Sequence, residues 1–202
     1  LVVEYISSTK DIEKFPNFNI VFQSDPLENY VLCEFNDPLY IVFSSGTTGK
    51  PKCITHSIGG VLIQHAKEHL LHINLSAQQK MFYFTTCGWM MWNWLVGSLF
   101  CKSSIILYEG SPFYPNPEHL WKIAEKSEVS IFGTSAKYID ALSKSNIVPK
   151  KHFALSNLRT ICSTGSPLSP DSYDYILNNI KPDVQIASIS GGTDLLSCFV
   201  LS

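Results

Sequence analysis

The order of its apolar segments is the feature that most constrains how this 202-residue chain can fold. Short apolar runs of strand length alternate with longer segments whose apolar residues recur every three or four positions. This alternation is typical of βα units around a largely parallel sheet, and it predicts an α/β fold with βα order throughout. The predicted strands are 39–43, 81–85, 104–108, 129–132, 158–162 and 184–189, and the predicted helices are 58–75, 89–101, 117–127, 135–144 and 170–180.

Two of these segments carry further detail. The uninterrupted apolar run of residues 39–43 predicts a buried strand that leads into a loop. In helix 58–75, His65, Glu68 and His69 lie largely on a different face from the apolar residues, and we expect that face to be exposed to solvent. Helical spacing also brings histidines together, so a metal site is a less favoured alternative.

Prolines and irregular composition mark the connections. Residues 111–117 contain three prolines and predict an extended surface connection, with a helix that starts at Pro117. Residues 7–37 have few periodic apolar positions and predict an irregular surface segment.

Composition excludes several classes of protein. With 45% hydrophobic and 16% charged residues, the chain is expected to be globular. A net charge of −2 and the absence of a basic stripe argue against general nucleic-acid binding. The longest apolar stretch, 89–101, is shorter than the roughly 20 residues that span a bilayer. The six scattered cysteines predict free, mostly buried thiols and a reducing compartment, the cytosol.

Residues 44–52, with the sequence SSGTTGKPK, concentrate groups that bind phosphate. Glycines let backbone N–H groups approach phosphate oxygens, hydroxyls donate hydrogen bonds, and lysines supply positive charge. The segment is not a Walker loop, because Ser44 stands where that motif needs glycine and Pro51 follows the first lysine. A flexible linker is the alternative, but a strand before the segment and a helix after it argue against one.

The same nine residues match the signature [ST]SGTTGxPK at every fixed position, and the chain resembles the adenylate-forming superfamily of acyl-CoA synthetases, luciferases and peptide-synthetase adenylation domains. Cys53 departs from the glycine that usually follows. Segments 51–60, 64–72, 87–94, 163–168 and 188–194 are similar to those of superfamily members that activate acetoacetate. The resemblance implies that residues 1–202 are the central part of the large N-terminal domain, incomplete at both ends, with 1–37 an irregular lead-in and the mobile C-terminal domain absent.

The resemblance also implies roles for individual residues. Those expected to hold the β and γ phosphates of ATP are Ser45, Gly46, Thr47, Thr48, Gly49 and Lys52. Those expected to contact adenine and ribose are Thr164, Gly165, Ser166 and Pro167, where Ser166 replaces the family's usual acidic residue. Thr193 is expected to contact phosphate and, with Lys52, is a candidate catalytic residue, although an ordinary polar turn is the alternative at this position. Asp194 supplies a hard oxygen suited to Mg²⁺.

The acyl pocket is expected to include Trp89, Met90, Met91, Gly191 and Gly192. Acetate-activating relatives carry tryptophans just before the Thr-acid pair, so glycines there leave space for a longer acid such as acetoacetate. Plain core packing is the alternative for residues 89–91.

The implied reaction joins the acid to AMP with release of pyrophosphate and then transfers the acyl group to coenzyme A. We expect residues 1–202 alone to be inactive, because the family completes its site with parts beyond this segment. A non-catalytic nucleotide-binding remnant and a ligase for another short-chain carboxylate remain alternatives.

Overall fold

The computed structural model describes Asp25, residues 28–45 and residues 49–201. The chain divides into two units, Leu1–Cys33 and Glu34–Ser202. In the first unit, the described residues, Asp25 and 28–33, contain neither helix nor strand. Most of the predicted irregular segment 7–37 lies outside the described residues, and the described residues within it, Asp25 and 28–37, contain neither helix nor strand.

The second unit contains the strands and helices of the fold. Its strands are β1 Pro38–Ser44, β2 Lys52–Ser57, β3 Lys80–Tyr83, β4 Ser104–Ile106, β5 Ile131–Ser135, β6 Thr160–Thr164, β7 Gln185–Ser188, β8 Ser190–Gly192 and β9 Ser197–Val200. Its α-helices are α1 Ile58–Lys67, α2 Met90–Gly97, α3 His119–Lys126, α4 Ala136–Lys144 and α5 Pro170–Tyr175. Single π-helical turns, Glu68–His72 and Ile176–Ile180, extend α1 and α5, and short 3₁₀ helices cover Ser98–Cys101 and Pro149–Lys151.

Five strands form a parallel sheet in the order β4-β3-β5-β6-β7, which confirms the predicted α/β fold. Side chains alternate between its two faces, as the pleat of a strand requires. Phe82, Phe132 and Ile161 pack into one buried cluster with α3, α4 and α5. Their neighbours on the same strands, among them Met81 and Cys162, pack into a second cluster with α2. The core therefore lies on both faces of the sheet.

The predicted buried strand 39–43 is wrong in its burial. Strand β1 forms an antiparallel hairpin with β2, apart from the five-stranded sheet, and Leu39, Ile41 and Phe43 are 43%, 60% and 66% exposed. Strand β2 was not predicted, because its sequence KCITHS mixes polar and apolar residues. Strands β2, β8 and β9 each follow another strand with no helix between them, so the prediction of βα order throughout is wrong.

The predicted orientation of the first helix is also wrong. His65, Glu68 and His69 are buried, whereas Leu62, Ile63, Leu70 and Leu71 are exposed. The helix begins after Ser57, whose hydroxyl accepts from the Gly60 amide, and its last π-helical turn ends at His72 rather than at residue 75.

Smaller differences concern the third helix and the cysteines. Helix α3 begins at His119, because the Asn116 side chain accepts from the Glu118 amide and holds residues 116–118 outside the helix. All six cysteines are free thiols, as predicted, but Cys33, Cys53 and Cys87 are exposed and only the other three are buried. In the described part of the chain, no helix has the length and apolar character needed to cross a membrane.

Candidate active site

A cavity of about 290 Å³ opens at the carboxyl ends of β6 and β7. Ligands of open α/β sheets bind at this end of the strands. Its walls are formed by Thr164–Pro167 at the end of β6, Ile189–Thr193 after β7, Trp89–Met91 and Trp94 in and just before α2, and Glu68, Ser197 and Cys198. The structure thus brings together the residues expected to contact adenine and ribose, those expected to line the acyl pocket, and Thr193.

The segment after β6 turns sharply at the mouth of the cavity. Gly165 has a φ of +89°, a conformation that glycine adopts without the penalty of a Cβ. The Thr164 hydroxyl donates to the Ile189 carbonyl oxygen at 2.9 Å, and the Ile189 amide donates to the Ser163 carbonyl oxygen at 2.7 Å. These bonds join the ends of β6 and β7, so two walls of the cavity are fixed to each other.

Helix α2 supplies the apolar wall. Met91 and Trp94 are buried, while Trp89 and Met90 are partly exposed to the cavity side. The Trp89 and Trp94 rings both meet Tyr83 edge to face, with centroids 6.1 and 5.9 Å apart. The wall is therefore attached to the core of the sheet through aromatic contacts.

Thr193 and Asp194 stand in the turn between β8 and β9. The turn is closed by bonds from the Leu195 amide to the Gly192 carbonyl oxygen and from the Leu196 amide to the Thr193 carbonyl oxygen, each 3.2 Å long. Thr193 is half-buried, and Asp194 is exposed. The His56 side chain of β2 donates to the Thr193 carbonyl oxygen at 2.9 Å, so the β1–β2 hairpin is tied to this turn.

The predicted phosphate-binding loop is the connection between β1 and β2. Ser44 pairs with Lys52 across the hairpin, and Gly49 has a φ of +94°. Gly46, Thr47 and Thr48 lie outside the described residues. A second cavity, of about 300 Å³, is lined by Ile41–Phe43 of β1 together with Trp89, Met90 and Thr193. Trp89, Met90 and Thr193 border both cavities. Strand β1, which leads into the loop, therefore lies beside the first cavity.

Behind the first cavity lies a buried polar cluster that the sequence did not predict. Its centre is Glu68, whose side chain is 1% exposed. One carboxylate oxygen accepts from the Trp94 indole at 2.7 Å. The other accepts from the Ser197 hydroxyl and, each at 3.2 Å, from the Cys198 backbone amide, the Cys198 thiol and the Gln64 side-chain amide. The two neighbouring histidines bind the same elements, since His65 donates to the Leu196 carbonyl oxygen at 2.8 Å and His69 to the Trp94 carbonyl oxygen at 2.9 Å.

Burial and hydrogen bonding set the charges in this cluster. Burial raises the pKa of Glu68, but the bonds from Ser197, Cys198 and Trp94 outweigh it, so the pKa falls below its ordinary value and the carboxylate is ionised. Burial lowers the pKa of His65, against the opposing effect of its bond to Leu196, and lowers the pKa of His69 to about 4. Both imidazoles are therefore neutral near pH 7.

The cluster explains why the first helix presents its polar face inwards. The backbone carbonyl oxygens of Leu196 and Trp94 need hydrogen-bond donors, and the Trp94 indole needs an acceptor. Because these groups would be costly to bury without partners, the polar face of the helix turns towards them. The signal available in the sequence was the spacing of His65, Glu68 and His69, which at positions i, i+3 and i+4 share one helix face. Among the described residues, no group of three or more histidines, cysteines or acids could hold a metal, so the metal alternative for the histidines gains no support.

Comparison with known proteins identifies the family of this chain. The family model described as AMP-binding enzyme matches residues 4–200, and the chain belongs to that family. Within it, the chain is similar to acetoacetyl-coenzyme A synthetase of Rhizobium meliloti (strain 1021), with 55% identity over 180 residues, which are 89% of this chain and 28% of that protein. It is 47% identical to acetoacetyl-CoA synthetase of Gallus gallus, over 99% of this chain and 32% of the relative.

A solved structure agrees with these relatives. Acetoacetyl-CoA synthetase from Streptomyces lividans superposes with a TM-score of 0.86 at 40% identity, over 92% of this chain and 29% of that one. The chain therefore spans about a third of the length of the relatives it matches.

Proposed function

We propose that this chain forms the acid- and nucleotide-binding part of an ATP-dependent acetoacetate–CoA ligase. The observation that carries the proposal is the cavity, because it gathers Thr164–Pro167, Trp89–Met91 and Gly191–Thr193 at the carboxyl ends of two parallel strands. The similarity to acetoacetyl-CoA synthetases over nearly the whole chain supports the choice of acid. The free thiols favour a reducing compartment, and we propose the cytosol.

The proposed reaction has two steps. In the first, a carboxylate oxygen of acetoacetate attacks the α-phosphorus of ATP, and the bond to pyrophosphate breaks, which gives acetoacetyl-adenylate. In the second, the thiol of coenzyme A attacks the acyl carbon, loses its proton, and expels AMP. The first step depends mainly on positioning and on neutralising phosphate charge.

In this proposal, the expected site residues have distinct tasks. The backbone at Gly165 packs against adenine and ribose, and the apolar wall of α2 receives the methyl end of the acid. Lys52 and Thr193, with Ser45 and residues 46–49, bind the phosphates. Asp194 fits a magnesium site, because Mg²⁺ in nucleotide enzymes is commonly held by one or two carboxylates with substrate phosphates and water, and this carboxylate is exposed beside Thr193. Bound there, Mg²⁺ would neutralise phosphate charge.

The test is pyrophosphate exchange into ATP by the complete gene product that carries this chain, with acetoacetate, acetate or butyrate as the acid. We expect acetoacetate to support the highest kcat/KM. Lys52→Ala and Asp194→Ala should each lower the rate by about 100-fold, as expected for loss of a group that stabilises developing charge.

Matched controls separate these roles from general loss of charge. Lys50→Ala removes a lysine of the same loop that has no expected role, and Asp140→Asn removes an exposed acid of α4 that pairs with Lys144. Both should retain near-normal exchange. No exchange by the wild type with any of the three acids would favour the non-catalytic nucleotide-binding remnant. A preference for acetate or butyrate, or equal rates with all three acids, would favour a ligase for another short carboxylate.

A further inference from the structure

Glu68 stands where two walls of the cavity meet. Among the described residues it is the one buried acid. Its two oxygens are divided between different elements: Oε2 accepts from Trp94 of α2, and Oε1 accepts from Ser197 and Cys198 of β9. One side chain thus connects the apolar wall with the hairpin that carries Gly191, Gly192 and Thr193.

Other contacts strengthen this connection. The Gln64 amide donates to both the Glu68 carboxylate and, at 2.6 Å, the Ser197 hydroxyl. Lys67, at 3.8 Å from the carboxylate and partly exposed, supplies a nearby positive charge. Burying a charge is costly unless it is paired and hydrogen-bonded, and these partners meet both conditions.

The backbone at Glu68 departs from regular helix. Glu68 begins the π-helical turn that ends at His72, and its carbonyl oxygen accepts from the Ile73 amide at 3.2 Å, five residues on. Such turns are uncommon and are frequent at functional sites, where they reorient side chains.

We propose that Glu68 is a positioning residue that holds α2 and the β8–β9 hairpin at a fixed separation and thereby sets the width of the acid-binding part of the cavity. The inference rests on the proposed function for its effect on catalysis, but the connection between the two walls is a property of the fold. Glu68 acts through Trp94, Ser197 and Cys198, which border the cavity beside it.

The variant Glu68→Gln tests the connection in the complete gene product. A carboxylate accepts at both oxygens, whereas an amide accepts at one and donates at the other, so either Trp94 or the Cys198 amide loses its acceptor. Amide hydrogen exchange should become at least about tenfold faster in residues 89–95, in 190–198, or in both. Unchanged exchange in both segments would overturn the proposal whether or not the protein is a ligase.

Trp94→Phe is a second variant that leaves the bonds of Glu68 to β9 in place. We expect faster hydrogen exchange in 89–95 and unchanged exchange in 190–198. If hydrogen exchange became equally faster in both segments, the bonds of Glu68 to β9 would not be sufficient to hold the β8–β9 hairpin, which would contradict the proposal.

Kinetics distinguish a positioning role from general stabilisation. In Glu68→Gln, the KM for acetoacetate should rise at least about tenfold, while the KM for ATP stays within about twofold. The control Leu142→Ala removes a fully buried side chain of the core cluster on the other face of the sheet, and should lower Tm without changing either KM. If Glu68→Gln behaves like Leu142→Ala, or raises both KM values together, the positioning role is wrong. A wild type that lacks acid-dependent exchange would instead reject the proposed function, and hydrogen exchange would still decide the connection.

Discussion

Individual buried side chains give this structure its pH dependence. His69 is buried, bonds to the Trp94 carbonyl oxygen through Nε2, and has no hydrogen-bond partner at Nδ1 among the residues that the structure describes. Because burial lowers its pKa from 6.5 to about 4, the folded protein disfavours its protonation. An unfolded chain takes up this proton below about pH 6.5, so stability rises with pH between about 4 and 6.5.

We therefore predict that acidification from pH 7 to pH 4.5 destabilises the fold, with His69 contributing up to roughly 3 kcal/mol at the acid end. Unfolding free energies measured by denaturant titration across this range should show it. His69→Gln should flatten the dependence, although the lowered pKa of His65 leaves part of it in place. An unchanged slope in His69→Gln would mean that another group carries the effect.

The site residues show which positions in the fold a sequence motif can predict. Gly165, Met91 and Thr193 were predicted from motifs, and the structure places all three around one cavity. Glu68 and Ser197 were missed, because their positions depend on how two distant segments meet and not on any local pattern. Hydrophobic periodicity assigned the wrong side of helix α1 to solvent, since the polar groups of a partner element decided which face was buried.

At the scale of elements, the long-range order of strands was predictable and the short hairpins were not. The five strands of the parallel sheet are apolar runs bounded by turn residues, and each was predicted within a few positions. Strand β8 has the sequence SGG, and glycine is depleted in strands. Strand β9 has the sequence SCFV, in which only the last two residues favour a strand. Their pairing depends on close backbone approach at Gly191.

This approach leads to a prediction. A Cβ at Gly191 would overlap the backbone of Ser197 and Cys198 on β9, whereas a Cβ at Gly192 would meet open space. Gly191→Ala should therefore cost about 1–3 kcal/mol and displace the Thr193 turn, with a matching loss of pyrophosphate exchange. Gly192→Ala is the matched control for stability and should leave Tm nearly unchanged, because its Cβ meets open space. Equal effects of the two substitutions on Tm would refute the argument.

At the scale of the whole molecule, apolar side chains remain at the surface of Glu34–Ser202. Strand β1 exposes Leu39, Ile41 and Phe43, and the first helix exposes Leu62 and Ile63. Exposed apolar side chains that lie close together promote association. This exposure could not be predicted from the sequence, because an apolar side chain is the same residue whether or not another strand or helix packs against it.

We predict that residues 1–202 expressed alone self-associate and have little or no ligase activity. Size-exclusion chromatography should show species larger than the 22.6 kDa chain, and the complete gene product should be active under the same conditions. Polar substitution at Ile41 and Phe43 should shift the isolated chain towards the monomer. If residues 1–202 are monomeric and fully active, the exposed apolar side chains do not cause association and the activity does not require further sequence.

The cavity is built from segments that leave separate strands, and this arrangement has a consequence for how such sites diversify. Residues 164–167 lie at and just after the end of β6, residues 189–193 follow β7, and α2 follows β3 along the chain. The Thr164–Ile189 hydrogen bond and the bonds of Glu68 to Trp94 and Ser197 join these walls, so a substitution in one wall alters the position of the others. A change of acid preference therefore requires matching substitutions in more than one segment.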